Sequence, residues 1–428
     1  MSVVNDESKD SPAATRRGFL AAAGGLVAAT GLSAPAVAAA KPAPAVDDKL
    51  PFWGAHQAGI ITPAQAHTYV VAFDIVSAKR EDVVALLQRW TDAAARMAAG
   101  ATAEEMGADI NAPGRDSGEA MDLPPARLTV TFGFGAGLFV KDGQDRFGLA
   151  AQRPAAFVDL PKFTGDQLVE GLTGGDLLVQ ACADDTQVAF HAVRQLVRLA
   201  YEVAEIRWAQ VGFIGGFGPD KTPRNLMGFK DGTGNPTVGD ARAMDEVVWV
   251  GQEGPAWMRG GSYGVFRRTR MALEHWDRMK VSFQEETFGR RKYSGAPIGK
   301  TRETEVIDLA AVDGDGNPAL AENSHVRLAT AATNDGARVL RRSYSYNNGV
   351  SFTAERWPPW HQGMEYDAGL IFVCYQRDPR TGFIKIFETM AKFDMMNQFV
   401  THIGGGLFAF PGGAAKGEYI GQRLFQAV

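Results

Sequence analysis

The order in which strand-like and helical runs follow one another constrains this chain most. HTYVVAFDI (67–75) is strand-like, and EDVVALLQRWTDAAARM (81–97) places Val83, Leu87, Trp90 and Ala94 on one helical face. ARLTVTFGFG (126–135) and GDLLVQACA (175–183) read as strands, DTQVAFHAVRQLVRLAYEVA (185–204) as a helix, and RWAQVGFIGGF (207–217) as a returning strand. The resulting βαββαβ order is that of the ferredoxin-like split unit. Beyond it, GSYGVFRRTRM precedes a helical LEHWDRMKVSFQEETFG, then RRSYSY, GLIFVCYQ, a helical FIKIFETMAKFDMMNQFV and GGLFAF. The same order therefore repeats without visible sequence identity between the halves. Two such halves predict an α+β fold packed as a dimeric α+β barrel-like unit, with a ligand crevice between the sheets. The expected divisions are 51–223 and 224–428, and residues 136–174 carry no assigned element.

The N-terminal region is a targeting segment in this reading. SPAATRRGFLAAAGGLVAATGLSAPAVAAA opens on Arg16-Arg17 and closes on A-x-A-like cleavage sites, so residues 1–40 read as a twin-arginine (Tat) signal peptide. Its Ala/Gly content suits a membrane anchor much less than Leu or Ile would. Tat exports folded proteins, so the address hints at a cofactor loaded before export to the periplasm or beyond. KPAPAVDDKL (41–50) is a linker. A net charge of -5, with no basic run interleaved with aromatics, argues against a nucleic-acid partner. Only Cys182 and Cys374 occur, each within an apolar run. They are expected to be buried free thiols, and two cysteines cannot build an iron–sulfur cluster.

Seven histidines (His56, His67, His191, His275, His325, His361 and His402) show no pair at metal-ligand spacing. The glycine runs do not open a dinucleotide-binding unit. Three segments stand out in combination: GFKDGTGNP with Asp231, NSHVRLATAATNDGARVLRRSYSY with His325, Arg341 and Arg342, and ETFGRRKYSGAPIG with Arg290. One imidazole, one carboxylate and arginines suit haem peroxidase chemistry. Histidine can ligate iron, a carboxylate can move a peroxide proton, and arginine can polarise the O–O bond. Taken singly, Asp231 is as readily an Asx-turn residue and His325 a core histidine.

Gly228-Phe229-Lys230-Asp231-Gly232 is similar to the GxxDG signature of dye-decolorizing (DyP-type) peroxidases. PFWGAHQAGIITPAQ, RGGSYGVFRRTRM, FGRRKYSGAPIG, NSHVRL, VLRRSYSY and IGGGLFAFPGG also resemble that family, in order from Pro51 to the C-terminus. With its Tat-like start, the chain resembles the exported, type A branch that includes iron-uptake-associated deferrochelatase/peroxidase relatives.

The resemblance implies one haem b per chain, in a crevice of the C-terminal half. It implies His325 as proximal iron ligand, Asp231 and Arg341 on the distal face, and Arg290 against a propionate. Asp394 is implied to accept the other ring N–H of His325. Gly232, Thr233 and Gly234 are implied to lie against the porphyrin, and Thr330, Ala331 and Ala332 to form part of the haem wall. Some relatives carry Asn where this chain has Ser343, which leaves the division of labour between Asp231 and Arg341 open.

The implied substrates are hydrogen peroxide and a small-molecule or surface-docked reductant, such as a dye or phenol. A carboxylate base predicts an acidic optimum. Trp257, Trp276, Trp357, Trp360, Tyr344 and Tyr346 are either electron relays or simple packing residues. The implied partners are the Tat translocon and iron-uptake proteins, with a homo-oligomer left open. The alternative function is an exported haem or iron-handling protein. The terminal GQRLFQAV adds no tail of the kind that encapsulin cargo carries.

Overall fold

The computed structural model describes residues 48–215, 221–354 and 362–427. The expected signal peptide, most of the linker, and Trp357, Trp360 and His361 lie outside the described residues. The first half comprises β1 (His67–Ile75), α1 (Arg80–Ala98), β2 (Thr129–Phe134), β3 (Leu177–Ala183), α2 (Thr186–Leu199) and β4 (Ala204–Phe213). After α3 (Ala241–Val247) come β5 (Ser262–Met271), α4 (Leu273–Trp276), α5 (Val281–Phe288) and α6 (His325–Leu328). The chain continues with β6 (Leu340–Arg341), β7 (Tyr344–Ala354), β8 (Gln362–Gln376), α7 (Phe383–Phe393), β9 (Val400–Phe410) and α8 (Gln422–Gln426).

Within the first half the strand order is β2-β3-β1-β4, and within the second it is β9-β5-β8-β7, all antiparallel. Both are the ferredoxin-like order. The two sheets join along both edges, through Phe134 opposite Ala409 and Phe213 opposite Ser345. Because β5 pairs with both β8 and β9, the eight longer strands close into a ring. Closure leaves no long free edge within the barrel wall to template aggregation. β6 adds a short ninth strand against β8.

Local sequence explains the helices. In α1 the apolar stripe Val83, Leu86, Leu87, Trp90, Ala94 and Met97 is buried. The Trp90 indole N–H donates to the Leu196 carbonyl at 2.8 Å, fixing α1 on α2. Asp185 caps α2 by accepting from the Gln187 and Val188 N–H groups, a contact that contributes about 1 kcal/mol.

The single helix expected over 273–289 is two helices, α4 and α5. The Gln284 side chain donates to the Trp276 carbonyl at 2.9 Å and so ties α5 back to the end of α4. The helix expected over 383–400 stops at Phe393, because the Asp394 carboxylate accepts from Met396 N–H and starts a separate 3-10 turn. Cys182 and Cys374 are buried free thiols. Among the described residues no helix is long and apolar enough to cross a membrane.

Candidate active site

His325 opens α6, a single turn placed by the preceding loop. Ser324 is fully buried beside Gly289, whose φ of +81° ends α5. A Cβ at Gly289 would lie 2.7 Å from Leu320 Cδ1 and 3.1 Å from Ser324 Oγ, so the close approach requires glycine. Asp394, from the end of α7, reaches back across the sequence. Its Oδ2 is 2.6 Å from His325 Nδ1, and its Oδ1 accepts from Met396 N–H at 2.8 Å. Burial lowers the His325 pKa, but the charge and hydrogen bond of Asp394, with help from Asp231, outweigh it and leave the pKa raised. That pairing commits Nδ1 and leaves Nε2 as the ring nitrogen available to a metal.

The GFKDG loop is held at two levels. Phe229 stacks on Phe288 with centroids 3.9 Å apart and planes 2° from parallel, and Phe288 lies 5.8 Å from the His325 ring. With Met227, Trp276, Met396 and Phe399 these rings form a dry cluster beside His325. One turn further on, the backbone leaves that cluster and presents Asp231.

Arg341 Nη1 donates to Asp231 Oδ1 at 3.0 Å. The charges of both groups act on His325, so the pair and the imidazole share one site. Arg341 ends β6 and Arg342 follows it directly, and the two side chains point to opposite sides. Arg341 meets Asp231, whereas Arg342 is buried in the barrel and donates to Cys182 Sγ at 3.2 Å and Thr62 O at 3.0 Å. Ser343 accepts the Val373 N–H at 3.2 Å through its hydroxyl and so repairs the ladder between β6 and β7.

Asn235 is a residue that sequence reasoning missed. Its Nδ2 donates to the Arg341 carbonyl at 2.7 Å and its Oδ1 accepts from the Arg341 N–H at 3.0 Å. This two-point clamp ties the Asp231 loop to β6. The only signal was an amide side chain inside GTGNP. Phe229 was also missed, although an aromatic residue next to the loop's polar residues marks an anchor.

Arg290 is buried and uses Nη1 on two carbonyls, Gly295 O at 2.8 Å and Glu303 O at 3.0 Å. Its buried Nε has no hydrogen-bond partner among the described residues. Burial lowers its pKa most; Glu303 offsets part of that, and Arg341 lowers it further. A buried guanidinium with an unfilled donor, beside a second arginine, suits an anion such as a carboxylate.

Gly232 has φ +114°, and a Cβ there would come no closer than 3.9 Å to any side chain; at Gly234 the nearest atom would be Arg341 Nη2 at 3.8 Å. The loop thus offers open backbone on which a flat ring can lie. Thr233 sits in the same turn. These features fit haem: a committed imidazole, a glycine-faced wall and an anion-seeking arginine. Thr330, Ala331 and Ala332 form the turn after α6. There the Thr330 hydroxyl donates to Arg327 O at 3.0 Å and Ala332 is exposed. Trp257, Trp276, Tyr344 and Tyr346 are all buried. Among the described residues, one cluster of three metal-binding side chains exists elsewhere, formed by Asp116, Glu119 and His191.

Family profiles for the N-terminal and C-terminal parts of Dyp-type peroxidases match residues 57–214 and 222–415. The chain is 37% identical to the deferrochelatase of Escherichia coli K12 over 390 residues, covering 89% of this chain and 88% of that protein. It is 42% identical to DtpA of Streptomyces lividans, with TM-score 0.79, covering 89% of this chain and 98% of the other. A DyP-type peroxidase of Cellulomonas bogoriensis is 37% identical with TM-score 0.78, covering 89% and 99%.

Proposed function

This chain belongs to the Dyp-type peroxidase family of haem-dependent oxidoreductases, and we propose that Asp231 and Arg341 activate hydrogen peroxide opposite His325. The observation that carries this reading is the 3.0 Å Arg341–Asp231 pair in the same site as the 2.6 Å His325–Asp394 pair. Haem b, when bound, supplies an iron that peroxide oxidises by two electrons and that two one-electron donors restore. His325 would hold that iron through Nε2, and Arg290 would hold a propionate. The turn Gly232-Thr233-Gly234 would lie against the ring face, and Thr330, Ala331 and Ala332 would close its edge.

Asp231 takes the proton from one peroxide oxygen and returns it to the leaving oxygen, which departs as water. Arg341 stabilises the negative charge that develops as the O–O bond breaks. Because the guanidinium also orients the carboxylate, the two act as a unit, and Asn235 holds that unit in register. Asp394 keeps the His325 tautomer fixed and its Nε2 electron-rich.

The test is stopped-flow absorption of the haem-loaded protein mixed with peroxide. Asp231→Asn is expected to retain the Soret band and to slow the peroxide step by on the order of 10²–10⁴-fold. An unchanged rate refutes the assignment of Asp231. His325→Ala is expected to alter or lose the Soret band.

The division at 51–223 and 224–428 places every residue of this proposed site in the second half. The Tat-like segment supports export to the periplasm or cell surface, which trapping of a full-length fusion by the Tat translocon would test. A second reading, iron handling in uptake, is favoured by the 37% identity to deferrochelatases. Iron release that leaves the porphyrin intact, detected by mass spectrometry, would support it.

A further inference from the structure

We propose that the cavity behind Asp394 docks a small phenolic reductant and passes its electron to the haem through Asp394 and His325. The proposal rests on the peroxidase reading above and names where the second substrate binds. The cavity holds about 320 Å³, the size of a small-ligand pocket.

Its lining combines aromatic wall, hydroxyl partner and electron outlet. Phe387 and Phe393 supply rings, and Phe393 is 62% exposed. Such a pair suits stacking or edge contact with one aromatic ring. His402 also lines the cavity, with Nδ1 3.0 Å from Thr269 Oγ1 and its ring edge-on to Phe387 at 4.8 Å. Burial, and after it the charge of Arg267, push the His402 pKa well below its ordinary value. It is therefore a neutral imidazole whose second nitrogen suits a phenol hydroxyl. Lys392, exposed at the rim, favours phenols that carry negative charge.

The outlet is what separates this cavity from an ordinary surface hollow. Asp394 belongs to its wall and also sits 2.6 Å from the imidazole that binds iron. An electron leaving a phenol here crosses one carboxylate and one imidazole. Asp231 and Arg341, which would handle peroxide, do not line this cavity, so the two substrates would not compete for space. Two phenols and one hydrogen peroxide give two phenoxyl radicals and two waters. Each phenol yields one electron to the peroxide-oxidised centre and one proton, and the two protons end in the second water.

The probe is 2-methoxyphenol, and the variants are Thr164→Trp, which fills the exposed rim, and Phe393→Ala, which removes a wall. In the resting holoprotein, proton relaxation of the phenol by the ferric iron reports binding without turnover. Saturable relaxation is expected in the native chain, with at least a tenfold weaker affinity in both variants. In stopped flow, the phenol step divided by the peroxide step should fall at least tenfold. Unchanged affinity and an unchanged ratio in both variants overturn the proposal. If the native holoprotein fails to react with peroxide, the peroxidase reading falls, and the relaxation titration still decides whether the cavity binds the phenol.

Discussion

Replacing Asp394 with Asn separates the two tasks of one carboxylate. Oδ2 receives the His325 Nδ1–H at 2.6 Å, while Oδ1 receives the Met396 N–H at 2.8 Å. An amide has one oxygen, so it can keep only one of these bonds. If it keeps the imidazole, the buried Met396 N–H faces an NH₂ group, at a cost of about 1–3 kcal/mol in stability. The histidine bond also loses its charge assistance. A hydrogen bond to a charged group contributes about 1–1.5 kcal/mol more than a neutral one, which for a one-electron couple is roughly 45–65 mV. Since the carboxylate favours the more positive iron, the Fe(III)/Fe(II) potential of the holoprotein should rise by roughly that amount. Spectroelectrochemical titration of both proteins measures it, and thermal unfolding measures the stability term. A potential that stays within about 15 mV, or falls, while the Soret spectrum still reports histidine ligation, would refute the argument, since the charge-assistance term sets a far larger upward shift.

Other substitutions test the remaining contacts. Asn235→Ala removes both hydrogen bonds to the Arg341 backbone and should cost about 1–3 kcal/mol in unfolding free energy; stopped flow should show a slower peroxide step while haem content holds. Arg290→Ala should weaken haem binding by about 2 kcal/mol, roughly 30-fold, measured by haem transfer to an acceptor protein. For His402 the folded pKa is depressed, so the unfolded chain binds the extra proton first. Stability contributed by the neutral ring is full above about pH 6.5 and falls by about 1.4 kcal/mol per unit below it. His402→Gln should flatten the dependence of unfolding temperature on pH between about 6.5 and 5.

Which aromatic residues carry electrons was undecidable from sequence, because a buried Trp or Tyr in a packed core looks the same as a relay. The structure buries Trp257, Trp276, Tyr344 and Tyr346, so all four pack in the core, a place that a relay residue would share. The helix breaks at Asp277 and Asp394 were equally hidden. Both involve side chains, Gln284 and Asp394, that hydrogen-bond to backbone groups only once the chain has turned.

The βαββαβ order, twice, was legible because hydrophobic periodicity is local: each strand or helix reveals its buried face within a few residues. The motifs around Asp231, His325, Arg290 and Arg341 were legible by resemblance. Of two adjacent arginines the resemblance pointed to Arg341, but periodicity and composition could not choose between them, since which one meets Asp231 is settled by backbone direction. Arg341 faces Asp231 and Arg342 the barrel interior because successive side chains alternate. Nor could it reveal the Asn235 clamp, which spans 106 positions, or fix the geometry of the Asp394–His325 bond, which spans 69. Contacts between such distant residues exist only after the sheets have closed, so tertiary structure alone determines their distances and orientations.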